Sequence, residues 1–339
     1  MSLPKTLRLA AVFAGLALAA PAAPARAQNI VDEWTLETKQ QIFSLALSPD
    51  NKTLAAANDN IHLYDLTGPE PRQKTVIEAR MFVGCRGVVF SPDGKKLAYG
   101  GSDSKVHLWS VDGEPKELSV GRSHADDVQT LSFSKDGKLL ASGSNDRSVI
   151  VWKVTDAGKL VEHLVIKGER NSSAVRAVAF NGNTQLVAVN AIGAVRIYTL
   201  TDTKYTVLRD QRVEGGVGGD PNVATRPDGK TIAVSARNLI RVVGGLSGVY
   251  DGHSDTVTGM AFSPDGAYLA SCGRDGRINL FVGGAKAPRL RKDKPDNFTS
   301  LAFTPPPAEG KAPTEAFLAA GTDRGRVFLY KVDLRDKKR

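Results

Sequence analysis

One turn returns seven times along this chain of 339 residues, and no other feature restricts the fold so severely. It reads Ser48-Pro49-Asp50, Ser91-Pro92-Asp93, Ser134-Lys135-Asp136, Asn181-Gly182-Asn183, Arg226-Pro227-Asp228, Ser263-Pro264-Asp265 and Thr304-Pro305-Pro306. The steps between copies are 43, 43, 47, 45, 37 and 41 residues. A period in that range holds four short strands with their turns, and it overrules the two-domain prior that length alone suggests. The turn has a mechanism. Proline presets φ, aspartate bonds its own backbone and glycine accepts a positive φ, as in SPDGK at residues 91–95.

The surrounding segments complete the unit. Residues 123–154 (SHADDVQTLSFSKDGKLLASGSNDRSVIVWKV) are its fullest copy. A small apolar strand precedes each turn in six units, among them IFSLAL from Ile42, CRGVVF from Cys85, VQTLSF from Val128 and VTGMAF from Val257. A second apolar strand follows, such as LLASGS or YLASCG, and the third ends on an aromatic in six of seven units: Tyr64, Trp109, Trp152, Tyr198, Phe281 and Tyr330. Sheets this thin cannot bury both faces alone, but stacked face to face around an axis they cover one another and leave few edges. The expectation is an all-β chain: a seven-bladed β-propeller of four-stranded antiparallel sheets. The seventh unit ends after its third strand, and Glu33-Trp34-Thr35-Leu36-Glu37 has no place in the first. The strand around Trp34 (residues 28–40) is therefore expected to close the last blade, with residues 333–339 a basic tail.

The motifs resemble the WD-repeat (WD40) family over residues 30–332, although the WD dipeptide itself is missing and Tyr64-Asp65 comes nearest. The resemblance implies that His124, Ser142, Asp146 and Trp152 form a structural hydrogen-bond network instead of a catalytic triad. It implies the same for His253, Ser271 and Asp275. Physical chemistry agrees: aspartate fixes the imidazole, the imidazole reaches the serine and the indole N–H needs a buried acceptor. Asp103 and Trp109 read as a fragment of this network, with Tyr99 in the serine position and Met81 in the histidine position. His62 and His107 read as side chains on a blade face. Cys85 and Cys272 fall in non-neighbouring units and read as small buried hydrophobes.

Residues 1–27 are expected to be a cleaved signal peptide. Lys5 and Arg8 precede an apolar run too short to span a bilayer comfortably, and Ala25-Arg26-Ala27 fits a small-x-small cleavage site. This places the mature chain, residues 28–339, in the periplasm or outside the cell, with no later stretch apolar enough to cross a membrane. The formal charge of +9 falls to +6 without the leader, and much of the excess is local, in residues 286–294 (KAPRLRKDK) and the tail. No aromatics interleave for base stacking, so nucleic acid is not expected. No spacing resembles a metal or phosphate site, so neither metal nor cofactor is expected.

The loops between blades and the turns joining second and third strands should share one face. Those turns carry Arg147, Arg274, Arg277, Arg324 and Arg326, while Arg86 and Arg176 stand one residue into their inner strands, near the mouth of the central channel. Together they form a candidate partner-binding face. The reading favoured is a non-catalytic scaffold for protein or peptide partners, which the resemblance also implies. The alternatives are a propeller enzyme or cofactor-binding protein with a site at the channel mouth, and a binder of anionic envelope polymers. The glycine-rich residues 213–222 read as a functional loop for the channel-mouth alternative or as a flexible excursion, and degeneration of the repeat is the favoured cause.

Overall fold

A computed structural model describes residues 30–79, 84–168, 173–212, 221–244, 248–283, 285, 287–288, 290–307 and 313–335. The expected leader, Met81, most of the glycine-rich segment and the last four tail residues lie outside the described residues. The described chain is all-β: seven four-stranded antiparallel sheets arranged as blades. No helix among the described residues is long and apolar enough to cross a membrane.

Six blades follow the chain simply, each with its strands in sequence order from the axis outward. The seventh takes three strands from residues 298–333 and its outermost strand, Ile30–Glu37, from the other end of the chain. Glu33 pairs with Tyr330 and Trp34 with Leu329, as the leftover strand suggested.

The core explains why the strands look as they do. It divides into seven clusters, each drawn from two adjacent blades. In the second strand of blade one, Leu54 and Ala56 face blade seven, whereas Ala55 and Ala57 face blade two. Both faces of such a strand are covered, so alternation of apolar and polar residues gives way to a continuous small apolar run. The small residues allow close approach. A Cβ on Gly143 would come within 2.6 Å of Val175, and one on Gly321 within 2.6 Å of Ile42.

Polar ties cross the seams near the axis. Ser44 Oγ accepts the Val88 N–H at 3.2 Å, Thr130 Oγ1 accepts that of Val178 at 3.2 Å, and Thr258 Oγ1 donates to the Phe298 carbonyl at 2.8 Å. Thr299 Oγ1 donates to the Ile42 carbonyl across the closing seam. The recurrent turn is equally regular. Ser134 Oγ bonds Asp136 Oδ1 at 2.7 Å and accepts the Leu139 N–H at 2.9 Å, with equivalent pairs at Ser48, Ser91 and Ser263. Gly94 and Gly137 take φ of 71°, and Asn51 fills that position in blade one at 62°.

Candidate functional site

The inter-blade loops and the turns between second and third strands meet on one face, braced by side-chain bonds in blades two, three, six and seven. In blade three, Trp152 Nε1 donates to Ser142 Oγ at 2.9 Å, which lies 2.7 Å from His124 Nε2. The opposite ring nitrogen, Nδ1, faces Asp146 Oδ2 at 2.9 Å. With Asp146 as acceptor at Nδ1, the neutral imidazole accepts the serine proton at Nε2. Asp146 also receives the Ala125 and Ser148 N–H groups, at 2.9 and 2.8 Å. Burial pushes the His124 pKa below its ordinary value by more than Asp146 raises it, in keeping with the neutral ring.

Blade six repeats the arrangement. His253 Nε2 lies 2.7 Å from Ser271 Oγ, and Nδ1 lies 3.0 Å from Asp275 Oδ1. Phe281 stands where blade three has its tryptophan and brings no N–H. Both serines are fully buried, so no substrate carbonyl can approach their hydroxyls. The resemblance to a catalytic triad stops at residue type.

Blade two corrects the sequence reading. Asp103 and Trp109 do not share a network. Asp103 Oδ2 turns to His107 Nε2 at 2.9 Å, while Glu117 Oε1 takes Nδ1 at 2.8 Å. Tyr99, in the serine position, stacks on the imidazole at 4.7 Å with the planes 10° apart, and Trp109 packs against the same tyrosine. Burial lowers the His107 pKa, but the bonds from the two carboxylates outweigh it, and the net direction is upward. In blade one, His62 Nε2 lies 3.2 Å from Asn58 Nδ2, again four residues upstream. These third-strand histidines replace the loop histidine, and the acid or amide four residues before them was the available signal.

Blade seven inverts the polarity of the brace. Asp296, buried in the loop, accepts from Arg326 Nε at 2.6 Å and from Arg326 Nη2, and Arg324 Nε stands 3.7 Å away. Arg326 therefore leaves the candidate partner-binding set, because its guanidinium already serves a buried acid. Arg277 is partly committed as well, 3.7 Å from Asp275 and 3.4 Å from Asp293. Arg147, Arg274 and Arg324 are exposed. The face is not uniformly basic, since Asp126 and Asp255 are exposed on the same loops.

Arg86 and Arg176 are brought together in a different place. Both line the loop-face mouth of the axial channel, a polar cavity of about 220 Å³. Arg86 lies over the Phe43 ring at 4.6 Å, and Arg176 Nη1 donates to Asn145 Oδ1 at 3.2 Å. Of the basic segment at residues 286–294, Lys292 and Lys294 pair with Glu33, at 3.2 and 2.5 Å, tying blade six to the closing strand. Cys85 and Cys272 are free and buried. Among the described residues no group of three or more histidine, cysteine or acidic side chains is placed to hold a metal ion.

The family model for the WD domain, G-beta repeat, matches residues 80–110, 115–153 and 244–281. These segments cover most of blades two and three and the outer part of blade five through the third strand of blade six. No curated protein matches the chain.

Proposed function

We propose that this chain, a seven-bladed propeller carrying WD40 repeats, holds partner proteins on the face where its inter-blade loops and second-to-third-strand turns converge. Propellers of this family commonly serve as protein-interaction scaffolds. The observation that carries the reading is the bracing of that face: in blades two, three, six and seven, histidine, arginine and aspartate act as struts that hold loops in place. A pre-ordered surface loses little conformational entropy on binding, which favours a docking platform. The same bracing occupies the His-Ser-Asp sets and argues against the enzyme alternative. The Glu33 pairs of Lys292 and Lys294 occupy cations that an anionic polymer would need. The leader-like residues 1–27 support placing this activity in the periplasm or outside the cell.

A photo-crosslinking residue at Arg147 or Arg274 tests the reading against one at Lys135, which is exposed in the turn at the opposite end of blade three. Adducts are expected from the first two positions and not from Lys135. Charge reversal at Arg147, Arg274 and Arg324 together should weaken capture. Adducts formed equally from both faces would overturn the proposal. Fractionation of cells making the full chain, with sequencing of the mature N-terminus, tests export.

A further inference from the structure

On the face opposite the loops, one residue of the outer strand decides how a seam is filled. In blades one and two the pairing of third and fourth strands skips a residue at the same place. Lys74 is passed over between the partners of Leu63 and Tyr64, and Leu118 between those of Leu108 and Trp109. Leu118 reaches blade three and packs on Gly158, the positive-φ glycine of its outer turn, where a Cβ would come within 2.7 Å of Leu118 Cδ1. Lys74 leaves the matching space open. A Cβ on Gly113, the positive-φ glycine of the blade-two turn, would meet nothing within 4 Å among the described residues. A cleft of about 410 Å³ lies there, between blades one and two.

The cleft joins an apolar floor to charged walls. Leu63 and Phe90, both buried, line it together with half-buried Val111 and Pro115. Three of its carboxylates, Asp50, Asp93 and Asp112, each have a lysine ammonium nearby, at 3.7, 3.6 and 3.7 Å. Asp65 and Lys74 are left. Asp65 Oδ1 accepts the N–H and the hydroxyl of Thr67, at 2.9 and 2.7 Å, whereas Oδ2 has no hydrogen-bond or ion-pair partner among the described residues. The Thr67 bonds hold the carboxyl below its ordinary value, so it is ionised at neutral pH. Lys74 Nζ likewise has no hydrogen bond or close ion pair among the described residues. One uncommitted charge of each sign leaves no net field to draw in a simple cation or anion. The complement is a molecule that carries an ammonium, a carboxylate and an apolar body.

We infer that this cleft binds a short zwitterionic ligand, of the class of a dipeptide with free ends and an apolar side chain. Asp65 takes the ligand's ammonium, Lys74 its carboxylate, and Leu63 and Phe90 its apolar side chain. The volume falls within the range of small-molecule clefts, roughly 300–1,000 Å³. The site lies at the opposite end of the blades from the loop face, so it stands independently of partner docking there.

The test titrates the full propeller by calorimetry with the dipeptide alanyl-leucine, its N-acetyl form and its C-terminal amide. The free dipeptide should bind at least about tenfold more tightly than either blocked form, because each block removes one charge-assisted contact. Asp65→Asn should abolish the preference over the acetylated form and keep the preference over the amide, and Lys74→Gln should do the reverse. Lys74→Leu supplies the side chain that fills the next seam. It should remove binding and leave the melting temperature equal or higher, which guards against misfolding. No binding of the free dipeptide, equal binding of all three forms, or unchanged binding in Lys74→Leu would each overturn the inference.

Discussion

Asp103 and His107 stand four residues apart in blade two with Oδ2 2.9 Å from Nε2, and this local pair replaces a bond that in blade three reaches across 22 residues from Asp146 to His124. The two solutions brace the same turn, but they differ in charge. His107 has a carboxylate at each ring nitrogen and suits the imidazolium. His124 has a carboxylate at one nitrogen and a serine at the other, and suits the neutral ring.

Opposite pH dependences should follow. The folded pKa of His107 lies above the ordinary 6.5, so its contribution is full below pH 6.5 and is lost as pH rises through the folded value. His124 and His253 have folded values below 6.5, so the unfolded chain takes up their protons first and stability falls as pH drops below 6.5. Denaturant titrations from about pH 5 to about pH 9, a window that brackets the ordinary histidine value, should show acid-side loss in the wild type. His107→Gln should flatten the decline above pH 6.5 and leave the acid-side loss intact. An unchanged profile in that variant would place the His107 proton elsewhere.

The blade-three strut should matter for stability and not for chemistry. Trp152→Phe removes the indole donor to buried Ser142 and is expected to cost about 2–4 kcal/mol, part hydrogen bond and part cavity. His124→Ala leaves Asp146 without its imidazole and should cost about 1–3 kcal/mol. Melting temperatures should fall by several degrees in each case. Partner capture at temperatures well below the transition should persist.

Much of this architecture was legible because its signals are local. The Ser-x-Asp turn, the positive-φ glycine after it and the small inner strands are decided within a dozen residues, so the period, the blade count and the home of Trp34 could all be read. The braces were harder. His124, Ser142 and Asp146 lie in the repeat copy that most resembles the WD repeat and could be placed, but Asp296 and Arg326 lie 30 residues apart and share no motif. His107 stands on a blade face beside its cross-strand neighbour Tyr99, where alternation puts it; what alternation does not give is its pair of carboxylate partners, although Asp103, four residues upstream, was there to be weighed. The outer strands are largely exposed, as Val207 and Leu208 show, and exposure weakens any pattern that burial would impose.

Thiol chemistry gives a simple check on the packing. Cys85 and Cys272 are buried against different seams, and burial pushes both thiols up to about 12. Neither thiolate forms at neutral pH, and blades two and six are too far apart in the ring for a native bridge. In native protein under oxidising conditions a thiol reagent should label neither residue within minutes. After denaturation it should label both. Fast native labelling of one would mean that its seam opens.

The closing seam is the most exacting place to test the ring. The strand Ile30–Glu37 covers the edge of Arg326–Asp333, and Trp34 lies 6.1 Å from Phe317 at the ring centroids. Beside it, Thr38 N–H donates to the Gly325 carbonyl at 2.7 Å and Ile42 N–H to that of Thr322 at 3.0 Å. Deleting residues 30–37 would strip the partner from a long strand whose side chains include Leu329 and Tyr330, and such an edge templates pairing between copies. The deleted chain should therefore self-associate in sedimentation while retaining most of its β signal. Trp34→Ala keeps the backbone pairing and should cost about 2–4 kcal/mol, less than a fully buried tryptophan would, because Trp34 is only half-buried. Hydrogen exchange separates this from a general loss of stability. In the Trp34 variant the amides of Arg326–Asp333 should exchange faster while those of Leu139–Ser144, on the far side of the ring, keep their protection. Equal acceleration in both strands would mean that the seam opens only with the whole propeller.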